Sequence, residues 1–299
     1  MAIDSAAPLG AALRLGIDIG GTKMLGVVVS SIDGTHEVIN EARVPAPTHG
    51  DIVGQIADFA RSFGRIDSVG VGIAGLVRND DVIVTTTHLP NVRDLRLRQL
   101  IEQEVGVPAG VDNDATCAAI AEWRLGAAAG FDDVLVVTIG TGIGAGAITN
   151  GQVMRGAHGF AGEFGHMVVV RDGLPCPCGR RGCWENYVSG RGVSRLAGGE
   201  SSESVFDRFA AGDSTARSIL DEYAQWVALG LFDLTCVFDP ACIVLGGGLG
   251  SRSEVLEMIE THFQNTQAGH VGRDLPRIAL AQLGSRAGAI GAAFVGAGD

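Results

Sequence analysis

The sequence is short of basic side chains, of aromatics and of long apolar runs, and each shortage closes off a class of function. Lys and Arg together number 22 against 34 Asp and Glu, a formal net charge of −12. Nucleic acid is therefore not an expected partner, because phosphate backbones attract basic surfaces. No apolar run reaches the roughly 20 residues of a membrane-spanning helix, so no membrane association is expected. The opening MAIDSAAPLGAALRLGID has an acid at Asp4 and no basic n-region, which makes it a poor secretory signal. No stretch is rich enough in Pro or Ser to read as a linker, so any domains should be closely coupled. Aromatics make up 5% of the residues, but 46% are hydrophobic, which is ample for a sizeable core. At 299 residues the chain exceeds the usual single-domain size, and two domains or one large one are expected. Glycine is abundant: 45 residues, in short clusters between strand-like runs and without a collagen period. That pattern belongs to tight turns near ligands.

The six cysteines offer no disulfide framework. Cys117, Cys236 and Cys242 sit in apolar contexts and read as reduced core residues. Cys176, Cys178 and Cys183 fall within eight residues, in GEFGHMVVVRDGLPCPCGRRGCWE. Their thiolates and the imidazole of His166 make the closed tetrahedral shell that Zn²⁺ prefers. The Cys-Pro-Cys pair and the third Cys form a tight knuckle closed by Gly179 and Gly182. His166 lies ten residues before the first Cys, far enough for a strand to bring it back. Such a shell leaves no position for substrate, so the metal is expected to be structural. Two carboxylates, Glu163 and Glu185, flank it. Reduced thiols and zinc thiolates together point to the cytoplasm.

Strand and helix signals alternate along the chain. Leu13–Asp18 and Met24–Ser31 are strands joined as a hairpin by Gly-Gly-Thr-Lys, and Val38–Val44 alternates like a third strand. Helix Asp51–Phe63, strands Ser68–Ile73 and Val82–Thr86, helix Leu95–Val105, strand Ala109–Val111 and helix Asn113–Ala127 follow. The second half repeats the order, with strands Asp133–Gly140 and Gly144–Thr149 around Thr-Gly-Ile-Gly. After the cysteine segment come helix Thr215–Phe238, strand Ala241–Leu245, helix Ser253–Phe263, strand Ile278–Gln282 and a small-residue C-terminal helix. Residues 198–213 read as an exposed loop. Two hairpin-led α/β halves in the same order suggest an internally duplicated fold around a cleft.

Both hairpins carry chemistry. In Asp18-Ile-Gly20-Gly21-Thr22-Lys23, paired glycines expose backbone amides that suit phosphate oxygens, and Thr22 and Lys23 add a hydroxyl and a charge. This is not a Walker loop, since no G-x-x-x-x-G-K-[ST] occurs and no helix follows directly. Taken alone the segment is equally a plain turn. Gly140-Thr141-Gly142-Ile-Gly144 stands at the equivalent place in the second half, and two such loops strengthen the phosphate reading.

D-I-G-G-T-K, T-I-G-T-G-I-G, G-x-x-G-x-A-G-E-x-G-H and C-x-C-G-x-x-G-C-x-E, in this order, resemble the ROK family of sugar kinases and repressors. Within it the chain is most similar to the bacterial glucokinases. The likeness runs from Leu15 to about Ala293. It implies an actin-like, hexokinase-like ATPase fold: two α/β domains around a cleft, with a small zinc-binding knuckle. The expected division is a smaller domain at 1–114, onto which a helix near 285–299 packs back, and a larger one at 115–284 containing the knuckle, 166–185.

What the resemblance implies for the site follows residue by residue. Asp114 is the catalytic base, and Asn113 beside it a sugar ligand. A carboxylate opening a helix is held anionic by the helix N-terminus and can accept a hydroxyl proton, although D-N-D-A-T alone reads more readily as an N-cap. Glu163, His166 and Glu185 match sugar-binding positions; a zinc-bound imidazole keeps a second nitrogen for a hydroxyl. Glu185 is expected to serve the sugar and leave the nucleotide alone. Asn91 and the backbone of Gly75 belong to the same pocket, with Ala74 where Pro is commoner. The nucleotide side takes Asp18, the two glycine loops, and Gly247 and Gly248 in an adenosine-side turn that is otherwise an ordinary strand-end turn. Arg155 and His158 match no motif, and Arg180 and Arg181 are expected in solvent.

The implied activity is ATP-dependent phosphorylation of a hexose at its 6-hydroxyl, most readily D-glucose, with Mg²⁺ on the nucleotide, structural Zn²⁺, and a homodimer or homotetramer. N-acetylmannosamine, N-acetylglucosamine, fructose and allose remain as alternative acceptors, and polyphosphate as an alternative donor. A sugar-responsive repressor is disfavoured: only 17 residues precede Asp18, too few for a DNA-binding module.

Overall fold

A computed structural model describes residues 10–47, 51–86, 89, 92–266, 272 and 274–298. The chain opens with β1 (Ala12–Ile19), β2 (Lys23–Ile32) and β3 (Thr35–Pro45), then α1 (Ile52–Arg61) and β4 (Ser68–Ile73). β5 (Gly75–Val77), β6 (Ile83–Thr86) and β7 (Arg93–Leu95) form a small sheet of their own, followed by α2 (Leu97–Val105), β8 (Ala109–Asn113) and α3 (Asp114–Leu125). The second half begins with β9 (Val134–Ile139), β10 (Ile143–Thr149) and β11 (Gln152–Val153). A cysteine-bearing excursion then leads to α4 (Glu185–Val188), α5 (Gly190–Leu196), α6 (Ser202–Ala210) and α7 (Ser214–Phe238). β12 (Cys242–Gly246), α8 (Gly247–Gly250), α9 (Ser253–Thr266), β13 (Arg277–Leu280) and α10 (Ala287–Gly296) complete it.

The duplication read from the sequence is present in the topology. The first large sheet runs β3-β2-β1-β4-β8 and the second β11-β10-β9-β12-β13, the same order of first, second, third, fourth and fifth strand. In each, the leading hairpin is antiparallel and the later strands are parallel to its first strand. Parallel strands buried on both faces need continuous apolar runs, and Val134–Val137 and Cys242–Leu245 supply them, all buried.

The helix α10 returns across the molecule to pack on β1, β4 and β8, and against α3. The sheet admits it because glycines stand in one row: Gly16 pairs with Gly70, and Gly70 with Gly110. A Cβ on Gly70 would run into the backbone oxygen of Ala292. α3 also lies on β9 and β10, so the α3–α10 pair joins the two sheets. The larger core surrounds α7, where Trp184 is fully buried. Its indole donates to the backbone oxygen of Trp226 at 2.8 Å, pinning the cysteine excursion to α7.

Several expectations need correction. Residues 198–213 are not a loop: Ser202–Ala210 is a helix, capped by the Ser201 hydroxyl accepting from Ser204 N, with Val205 and Phe206 buried. Cys236 is exposed, whereas Cys117 and Cys242 are buried. The helix expected from Leu95 starts at Leu97, because Leu95 ends β7. Among the described residues no helix is long and apolar enough to cross a membrane.

Candidate active site

A cleft of about 850 Å³ opens between the strand ends of the two sheets. Its wall takes Asp18, Gly75, Asn113 and Asp114 from the first half. The second half supplies Gly140, Thr141, Gly142, Gly144 and Gly247, and the cysteine excursion Glu163, His166, Cys178 and Glu185. Gly20 and Gly248 are not part of this wall, nor are Gly21, Thr22 and Lys23, which are exposed at the tip of the β1–β2 hairpin. Asn91 lies outside the described residues.

On the first-half side, β8 runs directly into α3. Asn113 is the N-cap, its Oδ1 accepting from the backbone N of Ala115 at 2.9 Å and Thr116 at 3.1 Å. The cap alternative is thus realised one residue before Asp114. Asn113 Nδ2 donates to Gly75 O at 3.1 Å, so both ends of its amide are engaged within the protein. Asp114 is the first helical residue and accepts from its neighbour Ala115 N at 2.9 Å. Asp18 stands one residue before the end of β1. Its carboxyl is pushed up to about 6, first by burial and then by the Asp114 charge, with Lys23 opposing.

On the second-half side the glycine turn is braced. Gly140 N donates to Gly142 O and Gly190 N to Gly140 O, both at 2.9 Å. Ile143 N donates to Glu185 Oε2 at 3.0 Å, and Arg191 Nη2 to Glu185 Oε1 at 3.1 Å. Glu185 is held between the glycine turn and α5, a position that sequence reasoning had assigned to the sugar alone.

The excursion folds as its cysteines demand. Antiparallel bridges Val168–Cys183 and Pro175–Arg181 bring His166 back beside the knuckle, and Gly179 and Gly182 both take positive φ. The ligand atoms of His166, Cys176, Cys178 and Cys183 all lie within 4.8 Å of one another. Cys178 Sγ and Cys183 Sγ are 3.6 Å apart, and Cys176 Sγ is 3.8 Å from His166 Nδ1. A tetrahedral ion with arms of about 2.3 Å sets sulfurs about 3.8 Å apart, and a disulfide needs about 2.05 Å, so the spacing suits a shared ion. With Nδ1 turned to the thiols, His166 Nε2 is turned towards Glu163, whose Oε2 is 3.7 Å away.

Two residues of the site had no motif. Glu122, 1% exposed on α3, accepts from the backbone N of Ala127 at 2.9 Å, Gln282 at 3.0 Å and Leu283 at 2.8 Å. It fixes the segment that enters α10 and lines the cleft. Its one sequence signal is an acid amid the apolar run Ala-Ala-Ile-Ala-Glu-Trp. Arg155 pairs with the buried Asp112, Nε to Oδ2 at 2.9 Å. Arg180 and Arg181 are exposed, as expected.

Two glycine-turned sheets facing each other across a carboxylate-lined cleft define an α/β fold of the hexokinase-type ATPase kind. The ROK family model matches residues 14–297, and the chain belongs to the ROK family. The glucokinase of Streptomyces coelicolor is 36% identical over 94% of this chain and 96% of its own length. The N-acetyl-D-glucosamine kinase of Pectobacterium atrosepticum is 32% identical, over 94% of this chain and 97% of its own. The crystal structure of a ROK family glucokinase from Streptomyces griseus in complex with glucose and AMPPNP superposes with TM-score 0.80 at 35% identity, covering 96% of this chain and 100% of that one.

Proposed function

We propose that this sugar kinase transfers the γ-phosphoryl group of ATP to the 6-hydroxyl of a hexose, with D-glucose the preferred acceptor. The observation that carries the reading is one cleft holding Asp114 together with Glu163, His166, Glu185 and the glycine turn at 140–144. Phosphoryl transfer asks for positioning and charge neutralisation more than covalent chemistry. Asp114 orients the 6-hydroxyl and takes its proton as the oxygen attacks in line. Glu163 and Glu185 accept from ring hydroxyls, His166 Nε2 meets a further one, and Asn113 and Asn91 complete the sugar side with Gly75. Backbone amides of the two glycine turns, with Thr22 and Lys23, receive the phosphates, and Gly247 and Gly248 the adenosine. The Mg²⁺ that accompanies the nucleotide supplies charge neutralisation when bound; Asp18, a carboxyl held up by burial beside Asp114, is placed to meet it.

His166, Cys176, Cys178 and Cys183 are the residues to hold a structural Zn²⁺, which would fix Glu163 and Glu185 on either side. The site then lies between two domains, 1–114 with 285–299 returning to it, and 115–284. The Streptomyces relatives favour glucose as acceptor, whereas the Pectobacterium relative supports N-acetyl-D-glucosamine as the second reading. Purified protein assayed with ATP and Mg²⁺ against glucose, the two N-acetylhexosamines, fructose and allose tests this. Glucose should give the highest kcat/KM. An amino sugar exceeding it would overturn the acceptor, and no turnover with any sugar would overturn the kinase reading.

A further inference from the structure

The segment between β11 and Glu163 is tied to the strand that leads into Asp114, and the tie runs through a buried charge. Asp112, on β8 two residues ahead of Asp114, is 5% exposed. Its carboxylate accepts from Arg155 Nε at 2.9 Å and from Asn113 N at 2.8 Å. Burial pushes the Asp112 carboxyl up, and the Arg155 guanidinium opposes that. An ionised carboxylate this deep needs its partner, because a buried charge left alone is strongly destabilising.

Arg155 begins the segment that ends in Glu163 and His166, and the same segment is fastened again further on. Asn79 Nδ2 donates to the backbone oxygens of Gly156 at 3.0 Å and Ala157 at 3.1 Å. Gly159 has φ +90°, and a Cβ there would stand 2.5 Å from Val77 O, so the segment lies flat on the turn between β5 and β6. That turn in turn holds β8: Asp81 accepts from Val111 N at 3.1 Å and from Arg98 Nη1 at 2.9 Å. Residues 77–81, 110–114 and 155–162 are therefore tied to one another in a ring, part of which lines the cleft.

We propose that Arg155 is a positioning residue which, through Asp112, fixes the Asp114 carboxylate relative to Glu163 and His166. The inference rests on the kinase reading above: one sugar must present its 6-hydroxyl to Asp114 while its ring hydroxyls reach Glu163 and His166. These acceptors sit on different segments of the chain, and a displacement of about 1 Å between reacting groups can cost about a hundredfold in rate. The Arg155–Asp112 pair is the side-chain link that holds the two segments in register.

Three variants test it: Arg155→Met, Arg155→Lys, and Arg155→Met combined with Asp112→Asn. Arg155→Met should lower kcat/KM for the sugar about tenfold to a hundredfold and leave KM for ATP within about twofold. Arg155→Lys, which keeps a donor for Asp112, should recover part of the loss. The double variant removes the unpaired charge and should recover the melting temperature without recovering the sugar kcat/KM. Recovery of both would reduce Arg155 to a stabilising role and overturn the proposal, as would an unchanged sugar kcat/KM in Arg155→Met. Hydrogen exchange without any sugar gives an answer independent of turnover. Peptides covering 110–116 and 155–166 should exchange faster in Arg155→Met than in the wild type. Unchanged exchange overturns the proposal even if the wild type phosphorylates none of the sugars, a result that would separately overturn the kinase reading.

Discussion

At matching points of two equivalent strands, the first half of the chain carries Asp18 and the second Thr138. Each stands one pair before the close of its hairpin, Asp18 opposite Leu25 and Thr138 opposite Gly144. The contrast repeats at the fifth strands: β8 runs into Asn113 and Asp114, whereas β13 ends at Leu280 with Ala281 beyond it. The hairpin tips differ as well. The first is exposed, with Lys23 near its carboxylates, and the second is braced by Gly190 and Glu185. One frame, used twice, thus places carboxylates at one set of strand ends and braced backbone amides at the other. In the reaction proposed above, the first serves the proton and the cation, and the second joins the tip of the first hairpin around the phosphates.

That division of labour can be broken at graded points. The largest effect should come from Asp114→Asn, which keeps the shape and removes the base. Turnover should fall about 10²–10⁴-fold while sugar affinity, by calorimetry, stays near that of the wild type. A variant keeping more than about a tenth of the rate would remove Asp114 from the role.

Next is the metal. Wild-type protein should carry one zinc per chain by elemental analysis, and Cys183→Ala should lose it with much of the fold, because structural zinc contributes its binding energy to folding. Metal-free protein with full activity would contradict this.

Glu185→Ala should come third. Since Glu185 accepts from Ile143 N in the glycine turn, the variant should raise KM for both sugar and ATP while retaining metal. Loss of such a part-buried acceptor costs about 1–3 kcal/mol, so the rise should be about fivefold to a hundredfold. A change in the sugar KM alone would show that the brace does not steady the turn.

The smallest effect concerns Asp18, whose carboxyl sits at about 6 against an ordinary 3.8. The folded protein holds this proton more tightly than the unfolded chain, so the carboxyl's contribution to stability is present below pH 3.8 and lost as pH rises to about 6. Asp18→Asn should therefore melt a few degrees above the wild type at pH 8, and the gap should close below about pH 4. Free-enzyme kcat/KM for the magnesium nucleotide should rise with pH through about 6 in the wild type and lose that limb in the variant. Equal melting temperatures at pH 8 would deny the burial of the charge.

Much of this was legible in the chain because its signals are local. Glycine pairs between β-branched runs announce both hairpins, and their repetition announces the duplicated order. The cysteine spacing puts Cys176, Cys178 and Cys183 at one point. What escaped reading depends on distant partners. Arg155 matters through Asp112, and Glu122 through Gln282 and Leu283, which lie far along the chain. Nothing within a helical window encodes such pairings. The helix Ser202–Ala210 escaped for a different reason: flanking Gly198, Gly199 and Gly212 masked a short apolar face and a serine cap. Asn113 was read as a ligand, with a cap in D-N-D-A-T as the alternative, and only the meeting of β8 with α3 shows that Asn113 itself is that cap.

The return of α10 to the first sheet has a consequence for how the molecule is made. A ribosome delivers β1, β4 and β8 early, yet the helix that fills their glycine row emerges only after β13. Until then that face of the sheet has no cover, and the glycines that admit Ala292 so closely offer no side chains to shield it. The first half can be built first but not finished first. Contacts this remote in sequence slow folding and leave apolar strands open to wrong partners meanwhile. A chain cut just before Ala287 would keep every proposed site residue and still lack the lid of its first sheet.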